Sequence, residues 1–199
     1  MPLVSALIGT GPDFVRRTLL ISAWYVGSFF VSFPGVVFLD EVFDSPLESF
    51  NALLFLPHGV RIFAVWLFRH QAIVPLLIAH AIHVAIWGHW TPNLWMPVIA
   101  GTFSAYFAFE ILRMARLNPF HVVTDDRAVW GRLVLAGILA AALNTILLQL
   151  MMMGYDGQYK ELSRVLGYLV GDISGIVLFV IMLISIDAVR ELRKDASKK

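Results

Sequence analysis

Long apolar stretches separated by short polar segments dominate the sequence. Six of them are long enough to cross a hydrocarbon core about 30 Å thick, which takes roughly 20 residues of helix. They predict membrane-spanning helices near residues 16–38, 52–68, 71–90, 94–114, 129–153 and 164–187. Only Arg69 and His70 separate the second stretch from the third, so we expect a tight helical hairpin there. The predicted fold is all-α: a polytopic, six-helix transmembrane bundle that forms one domain over residues 1–199.

The composition agrees with an integral membrane protein. Hydrophobic residues make up 59% of the chain and charged residues 15%, against roughly 45–50% and about 25% in soluble domains. The mean hydropathy is +0.77. The chain contains no cysteine, which excludes disulfides, thiolate metal sites and thiol catalysis. No basic residue precedes the first apolar run, so we expect no cleaved signal peptide.

Lysine and arginine are divided unequally between the two sides of the predicted bundle. Two of them, Lys160 and Arg164, fall on one side, and twelve fall on the side of both termini. The twelve are Arg16, Arg17, Arg69, Arg113, Arg116, Arg127, Arg132, Arg190, Arg193, Lys194, Lys198 and Lys199. Cytoplasmic loops collect these residues, so both termini are expected in the cytoplasm. Since membrane side explains this distribution, we expect no nucleic-acid binding.

Five ionisable residues fall inside predicted spans: His58, Arg61, His80, His83 and Asp172. Each costs at least ~2.5–3.5 kcal/mol in a membrane, so each needs a partner, a water-filled cavity or a function. Arg61 and Asp172 lie at similar depths, about 12 Å below the outer surface at the rise of a helix, and are expected to neutralise each other. His80 and His83 share a helix face because three residues nearly complete a turn. We hypothesise a shared polar pocket that opens outward.

Two other interpretations of these residues stay open. Arg61 and Asp172 could form a buried ion pair that fixes the helix register, with the histidines hydrogen-bonded to backbone or serine. His80 and His83 could instead hold a metal ion or haem iron, because imidazole suits both, although the third span has no carboxylate at a matching spacing. No other cofactor or metal is expected.

Glycine and proline indicate how the second and sixth spans pack. Gly167, Gly171 and Gly175 recur every four residues, which predicts a small-residue ridge that lets another helix approach closely. Pro57 lies inside the predicted second span and is expected to kink or unwind it. Broken helices of this kind line binding sites in transporters.

Sequence motifs of common enzymes are missing. There is no nucleophile elbow, no phosphate-binding glycine loop and no zinc-protease spacing, and no lysine lies in a span where retinal could attach. We therefore expect a protein that is not an enzyme.

Parts of the chain resemble the first type of bacterial membrane-associated sensor (MASE) domain. The resemblance rests on "LFLPHGVRIFAVWLFRHQAIVPLLIAHA", "DDRAVWGRLVLAGILAAALNTILL" and "LGYLVGDISGIVLFVIML", within residues 52–90 and 125–187. It implies a sensory module in the bacterial cytoplasmic membrane, although that family usually has eight spans. Family members usually lead into a kinase or cyclase, whereas this sequence stops at "VRELRKDASKK", so we expect a separate protein partner. The resemblance is a further reason to expect packing or functional roles for Pro57, Gly59, Gly171, Asp172 and Gly175.

Three functions are compatible with the sequence. The first is a sensor-like module in which a small anionic ligand competes with Asp172 for Arg61, or in which a partner protein binds. The second is a transport component, such as the six-helix substrate-binding subunit of energy-coupling-factor transporters, with its site at a broken second helix. The third is an accessory subunit of a larger membrane complex, with the glycine ridge and the tryptophans packed against partners.

Overall fold

A computed structural model describes residues 14–43, 54–87, 95–117, 119–120, 126–156 and 162–196. These residues form helices and turns and contain no strand, which confirms the all-α prediction for the described part of the chain. A 3₁₀ turn, Arg69–Ala72, joins the second α-helix to the third. The α-helices are α1 (Phe14–Phe43), α2 (Leu56–Phe68), α3 (Ile73–Trp87), α4 (Trp95–Met114), α5 (Asp126–Asp156) and α6 (Leu162–Ala196).

Among the described residues, four helical segments are long and apolar enough to cross a membrane: Leu56–Ile86, Trp95–Met114, Ala128–Gly154 and Val165–Arg190. Large apolar side chains on their outer faces are more than half exposed, among them Ile146, Leu150 and Ile181. Soluble proteins rarely expose contiguous surfaces of this kind. These observations indicate a membrane protein, and the larger count of six spans stays a prediction.

The helix ends differ from the predicted ends of the spans. The last span was predicted to end near residue 187, whereas α6 continues to Ala196. Apolar content marks only the part of a helix that faces lipid, while helix-forming polar residues extend it further. In the other direction, α2 begins at Leu56 rather than at 52. Of the predicted spans, residues 52–53, 88–90 and 94 lie outside the described residues.

The segment Leu56–Ile86 folds back on itself as the predicted hairpin. Near the start of α1, Arg17 donates a hydrogen bond to Gln71 in the 3₁₀ turn. Further along α1, the Phe29 ring lies 5.3 Å from the ring of Phe55 and 3.6 Å from that of His83. The beginning of α2 and the later part of α3 therefore meet α1 at one level, and the turn meets it at another.

Helix α2 is the centre of the bundle. Every residue from Pro57 to Trp66 is buried. The other five helices surround α2 in the order α1, α3, α4, α5, α6, and each packs against the next. A groove separates α1 from α6, the two ends of this arrangement. His58 and Arg61 are thus carried by a helix that faces protein, which is where ionisable residues are tolerated in membrane proteins.

The segment that leads into α2 touches α6 through backbone atoms. The Phe55 N–H donates a 3.1 Å hydrogen bond to the Gly171 carbonyl. A Cβ atom at Gly175 would lie 2.5 Å from the carbonyl carbon of Phe55, so glycine is needed there. Gly171 is buried and Gly167, one turn earlier, is half-buried. Two glycines of the predicted ridge therefore serve a contact inside this chain.

The interpretation of Pro57 as a kink is wrong. Pro57 lies in the first turn of α2, directly after Leu56, where proline leaves no intrahelical hydrogen bond unmade. The His58 N–H donates to the Phe55 carbonyl at 3.0 Å, which continues the chain smoothly into the helix. One residue later, a Cβ atom at Gly59 would lie 2.6 Å from Cγ of Phe179. Pro57 begins the helix, and Gly59 lets α6 pack against it.

Candidate ligand-binding site

Asp172 of α6 connects three polar side chains inside the bundle. Its Oδ1 accepts a 3.2 Å hydrogen bond from Nη2 of Arg61, and its Oδ2 accepts a 2.9 Å hydrogen bond from Nδ2 of Asn144. The same Oδ2 lies 3.5 Å from Nδ1 of His58. Arg61 and Asp172 are only 2% and 3% exposed. The structure thus brings together the two residues whose similar depth suggested an ion pair.

The guanidinium of Arg61 has more donors than the surrounding protein uses. It carries five N–H groups, and among the described residues one hydrogen bond, to Asp172, is formed. Its Nε is buried without a hydrogen-bond partner in that part of the chain. The Phe55 ring lies 5.2 Å from Cζ, a cation–π distance. Gly101 of α4 lies against Nη1 and leaves no room for a Cβ atom. Arg61 is therefore positioned by packing, with donors left for a further acceptor.

His58 is oriented by the backbone of α5. Its Nε2 lies 3.0 Å from the Gly137 carbonyl oxygen. A carbonyl can only accept a hydrogen bond, so Nε2 carries the proton and Nδ1 is the nitrogen that faces Asp172. A Cβ atom at Gly137 would lie 2.6 Å from Cγ1 of Ile176, so glycine is what allows α5 to pack this closely against α6. Nδ1 of His58 is buried and has no hydrogen-bond partner among the described residues, and His58 does not line the adjacent cavity.

A cavity of about 270 Å³ lies beside this cluster. Its polar lining comes from five helices: Tyr25, Arg61, His80, His83, Asn144, Tyr168 and Asp172. The remaining walls are mostly aromatic and aliphatic, including Phe29, Phe55 and Leu148. A few converging polar groups in an apolar wall are typical of small-molecule sites, and this volume falls just below the usual range of roughly 300–1,000 Å³. The cavity suits a small ligand.

The two histidines of α3 face α1. His80 donates through Nδ1 to the Leu76 carbonyl at 2.9 Å, and its ring lies 4.3 Å from that of Tyr25. The His83 ring stacks on Phe29 with an interplanar angle of 16°. No group of three or more His, Asp or Glu side chains within the described ranges is arranged to hold a metal ion. The observed contacts of His80 are thus those of a side chain that lines a cavity wall.

Four of the five predicted site residues line the cavity, and the fifth, His58, contacts Asp172. Asn144 of α5 joins the cluster through its hydrogen bond to Asp172. Sequence reasoning did not single out Tyr25, Phe55, Gly101 or Gly137. A tyrosine hydroxyl inside a span is a usable signal, because it too needs a polar environment. The role of a glycine or of a backbone carbonyl depends on helix rotation, which sequence does not reveal.

The fold and the site define a helical membrane protein with a buried charged cluster beside a small cavity. A scan against protein-family models, a search of curated proteins and a search of solved structures each found no match. The resemblance to membrane-associated sensor domains therefore stays a prediction from the sequence.

Proposed function

We propose that this protein is a non-enzymatic, sensor-like membrane module that binds a small anionic ligand in the cavity beside Arg61 and Asp172. The observation that carries the proposal is the buried guanidinium of Arg61, which lines the cavity. Among the described residues it donates one hydrogen bond, to Asp172. A carboxylate or phosphate matches the geometry of those donors. Such a ligand would compete with Asp172 for Arg61.

The proposal includes a membrane orientation. Six spans with both termini in the cytoplasm of a bacterium would place twelve basic residues on the cytoplasmic side and two on the other. The cavity would then lie in the outer half of the bundle, because its lining includes Val84, Pro97 and Leu148, which are far along the chain from the basic ends of their helices. An external ligand would reach it from outside the cell.

Helix α6 offers a route from the cavity to a cytoplasmic partner. Ala196 lies 24 residues after Asp172 in one continuous helix, a distance of about 36 Å at 1.5 Å per residue. A ligand that takes Arg61 from Asp172 removes one of the contacts that hold α6 against α2. If α6 can take two positions, the ligand would shift the equilibrium toward the position in which it binds more tightly. The size of that shift is set by the difference between its two affinities. A protein bound near Ala196 would detect the change.

The transport alternative depended on a second helix broken at Pro57, and α2 is unbroken after its first turn. The accessory-subunit alternative depended on a glycine ridge facing partners, whereas Gly171 and Gly175 contact Phe55 of the same chain. The transport alternative thus loses the feature that supported it, and the accessory-subunit alternative keeps only the tryptophans. Ligand binding without flux is the expected behaviour of a sensor.

The test is native mass spectrometry of the protein gently extracted from its own membrane, followed by titration of the small molecule found. If none is found, acetate and inorganic phosphate are the probes. The matched variant replaces Arg61→Met together with Asp172→Asn, which removes both charges and leaves neither one buried alone. We expect the wild type to bind and the double variant to fold without binding. Equal binding by both proteins would refute the proposal, as would uptake of the ligand into vesicles that contain the protein.

A further inference from the structure

The groove between α1 and α6 is a second concave surface, separate from the charged cluster. It encloses about 530 Å³, and its floor is the side of central helix α2 that lies between α1 and α6. Its walls are almost entirely apolar, and one charged side chain lies among its lining residues. The residues that define this α1–α6 groove are Trp24, Gly27, Phe63, Phe179, Met182 and Arg190.

The two walls of the groove differ in a way that disfavours another helix as its occupant. The α6 wall consists of large side chains, including Phe179, Met182 and Ile186, with no small residue. Helices that associate in membranes usually meet through small residues, which allow backbones to approach. The α1 wall is mixed: Trp24 and Val31 are large, Ala23 and Ser28 are small, and a Cβ atom at Gly27 would meet no other atom within 4 Å. An acyl chain can follow such an uneven apolar surface, because it bends at each methylene.

Arg190 gives the groove a basic end. Its side chain is exposed and forms no hydrogen bond or ion pair with any residue in the part of the chain described. Asp187, one turn earlier on α6, forms no ion pair with Arg190 and does not line the groove. Along α6, Arg190 comes after Phe179 and Met182. It therefore lies nearer than they do to the end of the bundle where Arg17 contacts the 3₁₀ turn. Apolar walls that end at an unpaired cation match an amphiphile with an anionic head.

We propose that the α1–α6 groove binds one acyl chain of an anionic phospholipid, whose headgroup phosphate contacts Arg190. This site is independent of the cavity at Asp172. It would place lipid against the side of α2 that lies between α1 and α6, where Phe63 forms part of the floor of the groove.

The experiment is native mass spectrometry of the full chain after reconstitution in vesicles of equal parts phosphatidylcholine and phosphatidylglycerol with identical acyl chains. We expect phosphatidylglycerol to be retained in preference. Arg190→Gln should reduce that preference about fivefold, the effect of one basic residue near a membrane surface. Arg193→Gln, an equal charge change at an exposed position that does not line the groove, is its control.

A second variant tests the acyl chain. Gly27→Leu fills the groove and should displace both lipids, whereas Gly131→Leu adds the same side chain to another exposed site with open space around it. Equal lipid retention in all variants would overturn the proposal, as would no retention by the wild type. Loss of a dimer in Gly27→Leu with unchanged lipid would overturn it in favour of a second copy of this chain. Since Arg61 is untouched throughout, these outcomes do not depend on the anion site.

Discussion

Replacing Asp172→Asn isolates the charge of Arg61 inside the protein. The substitution keeps the shape of the side chain and removes the only ion-pair partner that Arg61 has among the described residues. Both residues are almost fully buried, so bulk water cannot compensate for the missing carboxylate. Breaking a buried pair by removing one partner costs about 3–5 kcal/mol. We therefore expect the free energy of unfolding to fall by about that amount.

A small anion should restore much of this loss. Once the carboxylate is gone, an anion in the cavity has no internal competitor for the guanidinium. A ligand at a concentration of 100 times its Kd stabilises the folded state by about 2.7 kcal/mol. The gain should be larger for Asp172→Asn than for the wild type, in which the ligand must first displace Asp172. The variant should also bind the anion more tightly, by about tenfold or more if one charge-assisted hydrogen bond no longer has to be broken.

Equilibrium unfolding in mixed micelles measures both effects. Acetate and inorganic phosphate are titrated at constant ionic strength, so that general salt effects stay fixed. The control carries Arg61→Met in addition to Asp172→Asn and should respond to neither anion. If the anions stabilise this control as much as they stabilise Asp172→Asn, the guanidinium is not the binding group. If Asp172→Asn binds them more weakly than the wild type, Asp172 does not compete with the ligand.

Two glycine substitutions should separate stability from binding. Gly175→Ala places a Cβ atom against the rigid backbone of Phe55 and should lower the unfolding free energy by about 1–3 kcal/mol, measured in the same micelles. Gly101→Ala instead meets the flexible end of Arg61, so it should weaken anion affinity about tenfold in a titration while changing stability little. Gly131→Ala, with open space around it, is the control for both. Equal effects of the two substitutions on stability would contradict this reasoning.

The pairing across the bundle could be predicted because depth follows from chain position. Successive membrane helices alternate in direction and rise 1.5 Å per residue, so Arg61 and Asp172 could be assigned to one level. The shared face of His80 and His83 follows from their spacing in the same way. The hairpin at Arg69 was also evident, because two apolar runs separated by two polar residues leave little room for any other connection.

The central place of α2 could not be predicted from the sequence. Because α2 is buried on all sides, no solvent-facing side distinguishes its faces, so its pattern does not reveal its neighbours. For the same reason the structure was needed to show that Gly101 approaches Arg61 and that the Gly137 carbonyl receives His58. Pro57 was misread because the apolar pattern begins before the helix does: residues 54 and 55 are apolar but not helical. Hydropathy locates apolar chain, and helix ends depend on backbone hydrogen bonds.

Two of the contacts that hold α6 against α2 and the segment before it have different chemistry, and this difference bears on the proposed signal. One contact is between backbones, where Phe55 meets Gly171 and Gly175, and no anion can compete for it. The other is the ion pair of Arg61 with Asp172, which an anion in the cavity can replace. Because the backbone contact persists when the ion pair is lost, α6 would stay attached to α2 at that point. Displacement would then grow with distance along α6 beyond Phe179, which packs against Gly59 of α2, so the largest movement is expected at its end near Ala196.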